Sequence, residues 1–121
     1  MLTVHTILRS LGITQNYRGY HITVLACELL MQDEMLFLCI TKGVYSEVAK
    51  RLNCRISTIE RNIRTIIYRA WDIRRERLCE IAGIELTEPP KVVEFLDMLI
   101  SYVNEHNEEK EIKEAAIAIK Q

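Results

Sequence analysis

The chain has 121 residues, 49% hydrophobic and 27% charged, with a formal net charge of −1, which is enough apolar material for one globular core but not enough chain for a second full domain. Its longest apolar runs, such as ITVLACELLM, are broken by Glu28, Gln32, Asp33 and Glu34 well short of the roughly 20 residues of a membrane-spanning helix. Cys27, Cys39, Cys54 and Cys79 form no C-x-x-C pair, and His5, His21 and His106 are equally scattered, so metal-ligand spacing and a nucleophile–base set are missing, and Gly12, Gly19, Gly43 and Gly83 are isolated, so no glycine-rich phosphate loop is present.

The start, MLTVHTILRS, has no basic region and no small-residue cleavage site, so the chain is expected to be cytoplasmic, and residues 3–11 read as a first helix stopped by Gly12. After the turn-rich stretch TQNYRGY, residues 21–33 repeat apolar side chains at Ile22, Leu25, Ala26, Leu29 and Leu30, a core-facing stripe. A short apolar segment, EMLFLCI, precedes Gly43. The cysteines sit among apolar neighbours and read as reduced, packed thiols.

Two helices then follow in quick succession. YSEVAKRL is expected to start on Ser46 as its N-cap and to bury Val48, Ala49 and Leu52. Asn53, which tolerates the left-handed conformation, occupies the turn. The next helix opens on Ser57-Thr58-Ile59-Glu60, whose spacing is that of a capping box. Along it Ile59, Ile63, Ile66, Ile67 and Ala70 keep the helical period and predict a buried stripe with Trp71 near its edge. Ser57, Thr58, Arg61, Arg64, Thr65 and Tyr68 fall on the opposite side. Residues 74–82 form a short helix ended by Gly83, ELTEPP is a break, and Val92, Val93, Leu96, Leu99, Ile100 and Val103 mark a last core helix. The sequence therefore predicts an all-α, compact bundle of about six helices, with one domain over residues 1–107 and a charged tail over 108–121. That tail reads either as a frayed extension or as a dimer contact through Ile112, Ala116 and Ile119.

The near-neutral total conceals a polarity. Residues 1–49 carry three basic and four acidic side chains, residues 50–77 nine and three, and residues 78–121 four and ten. A basic centre in such a chain suggests a face for a polyanion. Two helices joined by a tight turn, the second basic on its open side, have the layout of a helix-turn-helix over about 45–72. Arg61 and Arg64, one turn apart, can then reach bases and phosphates from a helix in the major groove, and Glu60 can accept from a cytosine amino group. An exposed arginine face is also what any solvated helix shows, and a protein-interaction module acting through the acidic C-terminal third is the competing reading.

The stretches ILRSLGI, RGYHITVLACELL, ITKGVYSEVAKRLNCRISTIERNIRTIIYRAW and EFLDMLISYV together resemble the C-terminal effector domain of the master sporulation response regulator of endospore-forming bacteria, over about residues 3–106. The resemblance implies a six-helix domain that binds promoter DNA, with a possible homodimer on double-stranded DNA, and that contacts RNA polymerase sigma factor. The family's base-reading run S-R-V-E-R falls on Ser57 to Arg61, which gives base contacts to Glu60 and Arg61. Thr58 stands at a base-contacting position where the family has arginine, so the operator is expected to differ. Backbone contacts are expected from Arg55, Ser57, Arg64, Thr65 and Tyr68, and sigma-factor contact from Arg74, Arg75 and Arg77 in the stretch Asp72 to Gly83. No cofactor, metal or small-molecule substrate is implied. The family's regulator carries a receiver domain with a phosphorylated aspartate. The chain is thus expected to be a stand-alone relative or an excised domain, and in the first case abundance or a partner would replace phosphorylation.

Overall fold

The computed structural model describes residues 2–120; Met1 and Gln121, the outermost residues of the predicted domain and tail, lie outside the described residues. Among the described residues every regular element is helical: α1 (Val4–Ser10), α2 (Arg18–Gln32), α3 (Ser46–Leu52), α4 (Ile56–Ile73), α5 (Arg75–Ala82) and α6 (Val92–Lys120). The stretch EMLFLC winds as a 3-10 helix and ITKGVY as a π-helix that runs directly into α3.

Local chemistry explains most of the boundaries. Thr3 caps α1 in a reciprocal box with Thr6, and Gly12 ends the turn after it at φ 80°, where a side chain would be strained. Asn53 takes the left-handed conformation at φ 51°, the Asn53 N–H donating to Lys50 O and the Cys54 N–H to Ala49 O at 2.9 Å. Those two bonds make a Schellman closure of α3. Gly83 closes α5 in the same left-handed region.

Other boundaries moved. α2 begins at Arg18 rather than after the turn, and Gly19 in its first turn lies buried against α4, where a methyl group would meet the Asn62 carbonyl and Ile66. Ser46 is not an N-cap: Tyr45 before it is already helical, so no free turn of N–H groups exists there to be capped. Leu52 is half-buried rather than buried, Val93 is 41% exposed, and Cys39 is exposed although the other three cysteines are at least partly covered. The α6 stripe is completed instead by Phe95, fully buried beside Leu96 and Leu99. Burial pushes the Cys27 thiol up to about 12, so it packs as a neutral group. Beyond Val103 the helix α6 continues to Lys120.

The core gathers α1, α2, α4 and α6 around Ile7, Leu8, Tyr20, Ile22, Ile63, Ile66 and Phe95. Ile59, Ile63, Ile66 and Ile67 are each no more than 1% exposed. Full burial of such a side chain contributes roughly 1.5–3 kcal/mol, whereas an exposed ion pair contributes at most about 1 kcal/mol. The apolar face therefore decides how α4 sits, and its charged face is left outward.

Candidate nucleic-acid interface

α4 presents Ser57, Arg61, Arg64, Thr65 and Tyr68 to solvent, with Thr58 and Glu60 half-buried at its start and Arg55 exposed at its N-cap. The predicted side chains of this surface do share one face. The capping box does not form. Arg55 is extended at φ −85°, ψ 153°, and no side chain caps the helix. The Schellman closure at Asn53 brings the chain into the new helix two residues early, so Ser57 is already helical and cannot occupy the N-cap. Glu60, without a capping role, turns the other way and accepts from Arg64 Nη2 at 2.8 Å.

The two arginines of the pair consequently differ. Arg64 is tethered along the helix by Glu60, while Arg61 forms no ion pair among the described residues. Thr65 donates its hydroxyl to the Arg61 carbonyl at 3.0 Å, and Asn62 donates to the Thr58 carbonyl at 2.8 Å, so both are held against the helix backbone. Tyr68 is 54% exposed at the far end of the surface.

A groove of about 540 Å³ runs beside this face, between α4 and the start of α6. Arg64, Tyr68 and Lys91 line it together with Tyr45, Glu60 and Glu94. The Tyr45 hydroxyl is pushed up to about 12, chiefly by burial and further by Glu60, with Arg64 pulling the other way, so it stays protonated and able to donate. Sequence reasoning missed Tyr45 and Lys91. The only signal for Lys91 is a lone cation after Pro89-Pro90 in an acidic third, and periodicity says nothing about which helix it will face.

The three arginines of α5 and the joint before it part company. Arg74 is exposed and donates to the Ile73 carbonyl at 3.0 Å; Arg75 lies over the Trp71 ring at 4.0 Å and donates to the Trp71 carbonyl. Arg77 instead binds Ser10 on α1 at 3.0 Å, Glu80 at 3.0 Å and Tyr102 on α6 at 3.2 Å. Its partly covered guanidinium ties three helices together. Arg77→Ala is expected to lower stability by about 1–2 kcal/mol in urea denaturation, since these contacts join distant elements. A loss within about 0.5 kcal/mol, the usual range for a surface change, would leave the side chain free for a partner.

No helix among the described residues is long and apolar enough to cross a membrane. The fold is thus a six-helix bundle whose most strongly amphipathic helix, α4, turns a cationic face outward. The chain belongs to the family described as "Sporulation initiation factor Spo0A C terminal", whose sequence model matches residues 4–103. This is a family of DNA-binding effector domains of sporulation regulators and not one of enzymes. The match runs from the first residue of α1 to Val103 within α6 and leaves the end of that helix outside it.

Proposed function

We propose that this chain is a cytoplasmic, sequence-specific DNA-binding regulator of transcription, with α3, the Asn53 turn and α4 acting as a helix-turn-helix. The observation that carries the reading is Arg61: an exposed guanidinium, without an ion pair among the described residues, in the first half of a helix whose opposite side is fully buried. Laid in the major groove, α4 offers Arg61 to guanine O6 and N7, with Glu60 and Thr58 on neighbouring bases. Because the carboxylate of Glu60 is shared with Arg64, the base it accepts from competes with an exposed ion pair, a modest cost.

Phosphate contacts come from Arg55, Ser57, Arg64, Thr65 and Tyr68, with Lys91 reaching the same strand across the groove beside Arg64. Thr58 replaces a long donor by a short hydroxyl, so the preferred site differs at one base from that of arginine-bearing relatives. Arg74 and Arg75 form the surface offered to sigma factor, and Arg77 holds α5 in place behind them.

Selection of bound sites from a random DNA pool at about 0.15 M salt tests this reading, because only base contacts survive that competition. A recovered motif is expected. A pool that stays random, together with affinity for protein partners only, would move the chain to the protein-interaction class.

A further inference from the structure

The family match ends at Val103 while α6 runs on to Lys120, and from Glu108 to Ile119 every described side chain is exposed. Ile112 and Ile119 are 69% and 85% exposed, an unusual state for isoleucine on a regular helix. Ile112 lies about two and a half turns beyond Val103, so it points away from the side by which α6 is buried. The domain to which the helix belongs cannot cover it.

Ile112, Ala116 and Ile119 are spaced four and then three residues apart, the d-a-d order of a heptad seam. Ile117 falls outside this seam. Charge and register select what packs on it. In a parallel pair in register, each of the three positions stacks on its own copy. Glu108, at a g position, then lies beside Lys113 of the other copy at the following e position, and symmetry provides this attraction twice. An antiparallel pair that sets Ile112 against Ala116 brings Ile119 against Glu109, and the attraction is lost.

We infer that residues 108–119 of α6 form a short parallel coiled coil with the same segment of a second copy of this chain. The seam has three layers, and Glu105 and Glu109 repel their counterparts above it, so the stems splay toward the two domains. Pairing is accordingly weak between free chains and strengthens wherever two copies are held close, as on one duplex. The contact itself does not depend on DNA.

Sedimentation equilibrium of the full chain, carried up to about 1 mM, tests it directly. A dimer fraction that grows across this range is expected. Ile112→Asp and Ile119→Asp change exposed side chains beyond the packed part of α6, so the urea unfolding of the domain stays unchanged while association weakens by about tenfold or more. Glu108→Lys also weakens association, and Glu108→Lys combined with Lys113→Glu restores it. A chain that stays monomeric throughout, or isoleucine variants that associate as the parent does, would overturn the inference. Failure of the charge swap to restore pairing would overturn the parallel register.

Discussion

Arg61→Ala weakens binding to a selected DNA site by about 1–3 kcal/mol, roughly 5- to 150-fold, and weakens binding to random DNA far less. The expectation follows from where the side chain stands. It is exposed, it has no ion pair among the described residues to dissolve before it can engage a base, and α4 is too well anchored to tilt away. A guanidinium that reads guanine with two hydrogen bonds loses both on truncation, and at any other sequence those bonds were never made. Arg64→Ala behaves differently: it weakens specific and random DNA together and lowers the salt slope by about one, as loss of one phosphate contact does. Titration of both variants against a selected site and a scrambled duplex, at two salt concentrations, separates the roles. Equal losses for Arg61→Ala on both duplexes would reject base reading.

Gly19→Val is expected to destabilise the fold by about 3 kcal/mol, measured by urea denaturation, with DNA affinity falling as the folded population falls. Position 19 is where α2 crosses α4, and even a first added carbon meets the Asn62 carbonyl and the Ile66 side chain. Backbone cannot rotate aside as a flexible side chain can, so the helices must separate and the isoleucine stripe loses its packing on α2. Gly83→Ala offers the comparison. Nothing stands within 4 Å of an added carbon there, and the cost comes from the left-handed backbone alone. If Gly19→Val matched Gly83→Ala, the close crossing would not be what holds α4 in place.

These two residues show how differently parts of the molecule could be read. The isoleucine period of α4 alone sets its buried and exposed faces, because a 3.6-residue repeat is a property of the local chain. Gly19, sitting in RGY, reads as a turn residue from its neighbours alone. That it lies in a close helix crossing depends on Asn62, far along the sequence, and no local signal carries that information.

The same division runs through the site. The arginine face was legible, as were the turn at Asn53 and the stop at Gly83, since conformational preference belongs to single residues. The capping box was misread because its spacing is necessary but not sufficient: the Schellman closure upstream started the helix early and left Glu60 to choose between two partners. Arg77 could not be told from Arg74 and Arg75 by sequence, for it is Ser10, 67 residues earlier, and Tyr102 that draw it inward.

By itself, then, the sequence determined that the chain is helical, where most helices stop, and which side of α4 carries charge, all of which follow from period, caps and backbone preference within a few residues. Only tertiary packing decided that Gly19 is a close helix crossing, which arginines are held by other helices, and that Lys91 and Tyr45 join the same groove. Those outcomes depend on which distant groups meet and compete for the same hydrogen bonds and the same space, and a pattern of neighbours along the chain holds no record of that competition.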